Sequence, residues 1–264
     1  MPQQPQTVYY ENEQTDEFSG VSRKTVRVGA DYPYLPKGWL YRFLSFLAYR
    51  VVMKPFAYLY CKARFALRIR GREVLRPFHK TGYYLYLNHT LMAGDAFIPN
   101  LLDYSKRTYV AVHPDNISLP VAGRFIRLCG AIPTPTSLHA HKPFCEALST
   151  RVREGACVAI YPEAHIWPWC TMIRDFPDIS FDYPIRDGAP VFAATVTYAK
   201  RRVGKTPRVT VFVDGPFYPD PTLPRREARA RLRDAVHAAM TARAKENSTY
   251  ARVRYVKREE KSHE

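Results

Sequence analysis

The sequence predicts an α/β fold in which helices flank a central, mostly parallel β-sheet. Short apolar runs of strand length alternate with longer segments of helical periodicity, a pattern typical of sheets covered on both faces. Two of the apolar runs end abruptly in polar residues, and open α/β sheets bind their ligands at such strand ends. With 264 residues, the chain is long enough to bury a substantial core. We therefore expect one α/β core with a site at one edge of its sheet.

Changes in composition divide the chain into four segments. Residues 1–37 lack periodicity and predict a loosely ordered N-terminal arm. Residues 38–64 are the most apolar segment, and residues 65–217 hold the α/β core. Residues 218–264 contain a basic segment with a narrow apolar stripe, which predicts a helix over residues 225–246 that docks on the core. We expect the remaining tail to fray.

The segment at residues 38–64 predicts an amphipathic helix associated with a membrane surface. A spanning helix needs about 20 residues almost without charge, and Arg42, Arg50 and Lys54 interrupt this one. On a helical wheel the three cations form one stripe on an otherwise bulky, apolar surface, so we expect them to face lipid headgroups. The alternative is an ordinary amphipathic helix packed on the protein's own core. Pro55 is expected to kink or end the helix.

The elements of the core follow in chain order from the same patterns. A period-two alternation over residues 65–71 predicts an edge strand. Apolar runs predict further strands at residues 83–88, 108–113, 157–161, 191–198 and 208–214. Helical segments are predicted between them at residues 96–104, 119–128 and 140–154.

The strand predicted at residues 83–88 is followed by the first group with chemical potential. It ends in Asn88 and His89, and a short turn containing Gly94 then leads to Asp95. An imidazole at the rim of the sheet can accept a proton from a hydroxyl, and a carboxylate on its other nitrogen would fix the tautomer. The turn must fold back to join the two groups, and Gly94 can adopt the positive φ that this requires. Alternatively, Asp95 caps a helix and His89 is an ordinary hydrogen-bonded histidine.

Two motifs resemble the signatures of the glycerophospholipid acyltransferase superfamily, which 1-acylglycerol-3-phosphate acyltransferase typifies. Asn88-His89 with Asp95 resembles the first motif, with five intervening residues where the family usually has four. The segment from Ile160 to His165 ends in Pro-Glu-Ala-His and resembles the third motif, Phe-Pro-Glu-Gly-Thr-Arg. Residues 119–133 and 189–191 resemble the second and fourth motifs.

The resemblance implies an O-acyltransferase that uses no metal, no cofactor and no covalent intermediate with the enzyme. The donor would be a fatty acyl thioester of coenzyme A or of acyl carrier protein. The acceptor would be the hydroxyl of a lysophospholipid, above all 1-acylglycerol 3-phosphate. His89 would act as the general base and Asp95 would orient it, with backbone amides near Gly94 or Glu163 to stabilise the oxyanion.

Further residues are expected to contact the substrate. They are Asn88, Gly94, Glu163, His165, Arg124, Arg127 and Arg174. Glu163 could bind the acceptor hydroxyl, orient backbone or meet a cation. Arginine is well suited to phosphate, although Arg124 and Arg127 could equally be solvated surface residues. Ile166 stands where the family motif has its arginine, so Arg174 and residues 200–202 are predicted to contact the phosphate instead. Trp167 and Trp169 could line an acyl channel or pack under the loop.

The charge of the chain bears on its partners. There are 40 lysines and arginines against 24 acidic residues, a net charge of +16 that favours an anionic partner. We expect a membrane phospholipid surface and no nucleic acid, because no nucleic-acid motif is present. The alternatives are an acyltransferase for a non-phosphorylated or other lipid acceptor, a hydrolase that uses the same histidine, and a non-catalytic basic module that binds lipid or nucleic acid.

Cysteine and histidine usage bears on the compartment and on metals. The five cysteines form no Cys-x-x-Cys pair, and the polar N-terminus lacks the features of an export signal. We therefore expect a cytoplasmic protein, peripherally associated with the inner face of the cell membrane. Cys129 and Cys157 lie in apolar surroundings and are predicted to be inert core thiols. His139 and His141 lack a third ligand at suitable spacing, so we interpret them as loop residues and predict no metal site.

Overall fold

The structure is a computed structural model that describes residues 4–20, 26–118 and 121–258. Helices α1 to α8 span Trp39–Phe46, Lys54–Phe65, Gly94–Phe97, Pro99–Leu102, Ala122–Leu128, Leu138–Arg153, Asp182–Asp187 and Arg225–Asn247. Strands β1 to β9 span Gln6–Tyr10, Arg68–Arg70, Tyr83–Leu87, Thr108–Val112, Ala131–Pro133, Cys157–Ile160, Val191–Ala199, Arg208–Phe217 and Val253–Lys257. A π-helical stretch at Leu47–Met53 joins α1 to α2.

Seven strands form one sheet in the order β2-β8-β7-β3-β6-β4-β5. The five strands from β7 to β5 run parallel to one another, whereas β8 is antiparallel to β7 and β2 follows the direction of β8. The predicted mostly parallel sheet is thus confirmed, and the strand predicted at residues 65–71 does lie at an edge. β3 occupies the centre, so the residues that follow it emerge in the middle of one edge of the sheet.

The central strand β3 is buried along its whole length. Its odd-numbered side chains pack in one cluster with Ala57 and Cys61 of α2. Its even-numbered side chains pack in a second cluster with Phe144 of α6 and Leu232 of α8. A strand covered on both faces has no polar position, which explains its uninterrupted apolar sequence.

The segment predicted as helical at residues 38–64 forms α1, the π-helical stretch and α2 in direct succession. One face is buried on the sheet through residues spaced four apart, namely Tyr49, Met53, Ala57, Cys61 and Phe65. Pro55 does not end the helix; it lies in the first turn of α2, directly after the π-helical stretch. Because a π turn shifts the hydrogen-bond pattern, the missing N–H and the ring of a proline can be accommodated there.

Only part of the predicted cationic stripe faces outward, because Arg42 is exposed whereas Arg50 and Lys54 turn toward the protein. The guanidinium of Arg50 donates to the carbonyl of Tyr104 at 2.8 Å, and the buried ammonium of Lys54 donates to the carbonyls of Tyr104 and Lys106. The outward surface is otherwise formed by exposed apolar side chains, namely Trp39, Leu40, Phe43, Leu44, Phe46, Val51, Val52, Phe56 and Leu59. Within the described ranges, no helix combines the length and apolarity needed to cross a bilayer.

The two ends of the chain pair with each other, which local sequence patterns did not predict. β1 runs parallel to β9, with Gln6 opposite Val253 and Tyr10 opposite Lys257. The expectations of a loose arm and a frayed tail therefore do not hold for these residues, because each strand supplies the backbone hydrogen-bond partners of the other. Residues 1–3, 21–25 and 259–264 of the same segments lie outside the described residues.

Other differences from the predictions are local. β5 was missed because a three-residue strand carries too little pattern. The helix predicted at residues 119–128 begins at Ala122, and residues 119–120 lie outside the described residues. His139 and His141 are not loop residues, since α6 begins at Leu138. All five cysteines are free, and burial raises the pKa of the Cys157 thiol to about 12 and that of Cys129 to about 11.

Candidate active site

The imidazole of His89 and the carboxylate of Asp95 meet just beyond the carboxyl end of β3. Nδ1 of His89 lies 2.7 Å from Oδ2 of Asp95, and this oxygen also accepts the Leu91 N–H at 2.9 Å. Because a carboxylate only accepts hydrogen bonds, the proton of a neutral ring is assigned to Nδ1. Asp95 is buried, whereas 23% of the His89 side chain is exposed. Among the described residues none pairs with Nε2, so its lone pair is free to accept a proton.

The turn between these residues folds back as predicted, but Gly94 serves it in another way. Gly94 is not among the glycines with positive φ. A Cβ at this position would lie 2.9 Å from Cβ of Leu91 and 3.2 Å from the Phe65 ring. The glycine therefore permits the close approach of α2 and the turn, and it leaves no side chain beside Asp95.

The surroundings of Asp95 adjust its affinity for a proton. Burial raises the pKa of the Asp95 carboxyl, whereas the His89 ring and the Leu91 N–H act to lower it. Tyr161 of the second motif packs on the imidazole with ring centroids 4.5 Å apart, and its hydroxyl donates to the Asp95 carbonyl at 2.7 Å. The ring of His89 is thus fixed by a carboxylate on one edge and by an aromatic face, which leaves the Nε2 edge for a substrate.

Glu163 lies behind the histidine and does not face an open crevice. Its carboxylate accepts the backbone N–H of His89 at 2.9 Å, and it is paired with the guanidinium of Arg174 at 2.9 Å. Only 5% of Glu163 is exposed. Of the three roles that the sequence left open, the structure therefore shows two, the orientation of backbone and the contact with a cation.

The prediction that Arg174 contacts a phosphate is contradicted, because its side chain is fully buried. The guanidinium also donates to the carbonyls of His165 and Glu13 and lies 4.7 Å from the Trp167 ring. These contacts hold the loop that follows Glu163 in place. Because this guanidinium is buried and paired with Glu163, a substrate cannot reach it.

Other predicted contact residues also have structural partners. The amide of Asn88 exchanges hydrogen bonds with the backbone of Val196 at 3.2 and 2.8 Å, which ties the end of β3 to β7. The prediction that Asn88 binds substrate is therefore not supported, since it is 1% exposed. Nδ1 of His165 lies 3.1 Å from the Glu17 carboxylate, so this histidine meets the N-terminal arm.

The structure does not bring Arg124 and Arg127 to the His89–Asp95 pair. Both lie on α5, which packs against α1. Arg124 is exposed, and the guanidinium of Arg127 lies 4.9 Å from the Tyr32 ring. The resemblance of this segment to the second motif is thus not accompanied by contact with the site. Among the described residues, neither arginine contacts His89.

The loop after Glu163 forms contacts that sequence reasoning missed. The N–H of Trp167 donates to the His89 carbonyl at 3.1 Å, and that of Trp169 donates to the Thr90 carbonyl at 2.9 Å. The Trp167 side chain is fully buried beneath the paired termini, against Tyr10 and Tyr255, so it packs under the loop and lines no channel. The aromatic residues of the N-terminal arm were the only local signal for this packing.

An apolar groove lies beside α2. It has a volume of about 680 Å³ and is lined in part by Leu59, Leu67, Ile69 and Leu101, with Lys62 and Arg72. Its lining combines aliphatic side chains with cations, which suits an amphipathic molecule. No three side chains of the types that ligate metals come together in the part of the chain that the structure describes.

Comparisons with known proteins identify the family and a similar fold. Residues 66–246 match the model of a family described as Acyltransferase, and the match includes both the His89–Asp95 turn and Glu163. Among solved structures, the crystal structure of PlsC from Thermotoga maritima, a 1-acyl-sn-glycerophosphate (LPA) acyltransferase, is similar with a TM-score of 0.55. The two sequences are 16% identical over 78% of this chain and 84% of that chain, so the likeness concerns the fold. A search of curated proteins finds no match.

Proposed function

The chain belongs to the acyltransferase family, and from this premise we propose that it transfers a fatty acyl group from a thioester to the hydroxyl of a lysophospholipid. The observation that carries the proposal is the His89–Asp95 pair, with Nδ1 held at 2.7 Å and Nε2 unpaired among the described residues. The thioester would be acyl-coenzyme A or an acyl carrier protein. The likeness in fold to PlsC supports 1-acylglycerol 3-phosphate as the first acceptor to test.

In the proposed mechanism, Nε2 of His89 removes the proton of the acceptor hydroxyl as its oxygen attacks the thioester carbonyl. The tetrahedral intermediate collapses with cleavage of the C–S bond, and the imidazolium returns its proton to the leaving thiolate. Asp95 stabilises the imidazolium between these two proton transfers. Two backbone N–H groups near the histidine, those of His89 and Leu91, are occupied by Glu163 and Asp95, so they are not available for the oxyanion.

For the acceptor, an alternative to 1-acylglycerol 3-phosphate has specific support. The burial of Arg174 removes one predicted phosphate contact, and Arg127 lies on the Tyr32 ring, which favours an acyltransferase for a non-phosphorylated or other lipid acceptor. The groove beside α2 is apolar enough to hold an acyl chain of either acceptor. The headgroup alone distinguishes these two alternatives.

We propose further that the protein works on a membrane surface, at the inner face of the cell membrane. The support is the outward face of α1 and α2, where 78% of Trp39, 53% of Phe43 and 56% of Phe46 are exposed. Large exposed apolar surfaces of this kind mark contacts with membranes or other proteins. Because Arg50 and Lys54 are directed inward, the apolar side chains would supply most of the binding, with less from headgroup electrostatics.

One experiment tests the proposed reaction. Purified protein is incubated with acyl-coenzyme A and a mixture of lysophospholipids and 1-acylglycerol, and the products are identified by mass spectrometry. We expect one class of acylated product, and we expect the His89→Ala variant to form none while retaining its thermal unfolding transition. Release of free fatty acid alone would indicate a hydrolase. Near wild-type transfer by His89→Ala would refute the mechanism.

A further inference from the structure

Two arginines outside the acyltransferase motifs lie at the same edge of the sheet as His89. β7 runs parallel to β3, so the residues that follow its carboxyl end emerge at this edge. Among them is Arg201, whose guanidinium donates to the carbonyl of Ala63 in the last turn of α2 at 3.2 Å. After α8 the chain returns to the end of β7, where the N–H groups of Thr249 and Tyr250 donate to the Tyr198 carbonyl at 2.9 and 3.2 Å.

This return places Arg252 on an aromatic ring next to the catalytic turn. Its guanidinium lies 4.9 Å from the ring of Trp169, and the side chain is exposed. The N–H of Trp169 in turn donates to the carbonyl of Thr90, the residue after His89. Trp169 has a φ of 64°, a conformation that residues other than glycine seldom adopt without a structural constraint. The surrounding structure therefore holds the backbone that carries this ring in place.

The rings of Phe65, Trp169 and Tyr198, which we call the aromatic platform, connect both arginines to the catalytic turn. The ring of Trp169 lies 6.2 Å from that of Phe65 and 5.6 Å from that of Tyr198. The hydroxyl of Tyr198 lies 2.9 Å from Oγ1 of Thr90. Phe65 is the residue that a Cβ at Gly94 would approach at 3.2 Å. The platform thus lies against the catalytic turn near Thr90 and near Gly94.

Neither arginine is neutralised by the acidic residues that the structure describes. The contrast with α8 is clear, because five of its arginines form ion pairs with aspartates. These pairs are Arg225–Asp182, Arg229–Asp178, Arg231–Asp220, Arg233–Asp175 and Arg243–Asp214. Much of the charge of that basic helix is therefore used within the protein, whereas the guanidinium groups of Arg201 and Arg252 retain donors for an external anion.

We propose that Arg201 and Arg252 form a subsite for a phosphate group of a substrate bound at His89. The proposal rests on the proposed acyl transfer. Guanidinium groups bind phosphate through paired N–H donors, and an arginine held on an aromatic ring loses less conformational freedom on binding. The phosphate belongs either to the acceptor headgroup or to the nucleotide of coenzyme A. If the phosphate is that of the acceptor headgroup, this subsite replaces the phosphate contact that Ile166 cannot make.

Substitutions in the full chain test the subsite. We would prepare Arg201→Gln, Arg252→Gln and the double variant, with Lys205→Gln and Arg254→Gln as controls. The two control residues are exposed and lie in the same segments as Arg201 and Arg252. With 1-acylglycerol 3-phosphate and acyl-coenzyme A, we expect the KM of one substrate to rise roughly tenfold for each arginine removed, with kcat within about twofold. The controls should behave as wild type.

Paired substrates identify the source of the phosphate. If the rise in KM of the arginine variants disappears when 1-acylglycerol replaces 1-acylglycerol 3-phosphate, Arg201 and Arg252 bind the acceptor headgroup. If it vanishes when acyl-pantetheine replaces acyl-coenzyme A, they bind the nucleotide. Unchanged KM values for the double variant with every substrate pair would overturn the proposal, as would an equal loss in both control variants.

A binding measurement separates this proposal from the proposed function. In the His89→Ala background, titration with glycerol 3-phosphate or coenzyme A should change the tryptophan fluorescence, and Trp169→Phe should remove the change. The double arginine variant should weaken this binding at least tenfold while its thermal unfolding stays the same. Equal binding by the double variant would refute the subsite. Failure of the wild-type protein to transfer acyl groups would refute the function and leave this result standing.

Discussion

The carboxylate of Glu163 holds the backbone N–H of His89 at 2.9 Å, although the two residues are 74 positions apart. The same carboxylate is paired with Arg174, so a buried ion pair lies behind the general base. The polar residues in these two parts of the chain thus have different roles. His89 and Asp95 provide the reactive edge, while Glu163 and Arg174 determine where the chain that carries His89 runs.

Removal of Arg174 should destabilise the fold strongly. Arg174→Met leaves the Glu163 carboxylate buried without its cation, and breaking a buried ion pair in this way costs about 3–5 kcal/mol. The second substitution, Glu163→Gln, removes the unpaired charge and keeps an acceptor for the His89 N–H, so the double variant should regain part of the loss. Urea unfolding of the four proteins measures this. A single variant as stable as wild type would show that the pair contributes nothing.

Substitution of Asp95 by asparagine should abolish most of the transfer activity with little effect on the fold. The amide oxygen would still accept from Nδ1 and from the Leu91 N–H, but it carries no negative charge to stabilise the imidazolium, so proton removal by Nε2 becomes less favourable. In a Ser-His-Asp triad the same change lowers kcat by about 10⁴, and we expect a loss on the order of 10³ to 10⁴ here. Steady-state transfer assays, with thermal unfolding as the control for folding, measure it. An undiminished rate would reduce Asp95 to a residue that only shapes the turn.

The outward face of α1 should determine membrane binding. Replacing Trp39, Phe43 and Phe46 by serine removes three exposed apolar side chains and should release the protein from sedimenting phospholipid vesicles. The matched control replaces Leu138, Ile179 and Val203, which are also exposed but lie on other elements. Because Arg50 and Lys54 turn inward and only Arg42 of the predicted stripe is exposed, high salt should weaken binding of the wild type only partly. Equal sedimentation of the two triple variants would refute this assignment.

The sequence allowed the prediction of elements whose signals are local. The apolar run of β3, its abrupt end at His89 and the return to Asp95 occupy a few adjacent turns, and the geometry found there matches the prediction. The family suggested by the two motifs is likewise confirmed by the match over residues 66–246. In each case neighbouring residues carried the information, so no knowledge of distant contacts was needed.

The features that the sequence did not reveal depend on distant partners. β1 and β9 lie at opposite ends of the chain, and the sequence of neither strand indicates that it pairs with the other. Arg174 was expected to contact a phosphate, because its partner Glu163 could be recognised only once the loop between them was seen to fold back. The inward orientation of Lys54 has the same cause, since its acceptors are carbonyls of a loop about fifty residues away.

Lys54 gives the fold a pH dependence that can be measured. Burial lowers the pKa of Lys54 from 10.5 to about 7, so the buried ammonium is disfavoured. Below pH 7 the lysine is charged in both the folded and the unfolded chain, and the fold bears the full penalty. Between pH 7 and 10.5 the unfolded chain binds the proton more tightly, so the free energy of unfolding rises with pH through this group.

The variant Lys54→Met lacks this titrating group, so the difference between the wild type and the variant isolates the contribution of Lys54. The free energy of unfolding of the wild type, minus that of the variant, should therefore increase by about 2 kcal/mol between pH 7 and pH 9. Urea unfolding at a series of pH values measures the difference. The carbonyls of Tyr104 and Lys106 act in the opposite direction, because they accept hydrogen bonds from the charged form. A difference that stays constant or falls would mean that these two carbonyls outweigh the burial and keep Lys54 charged throughout.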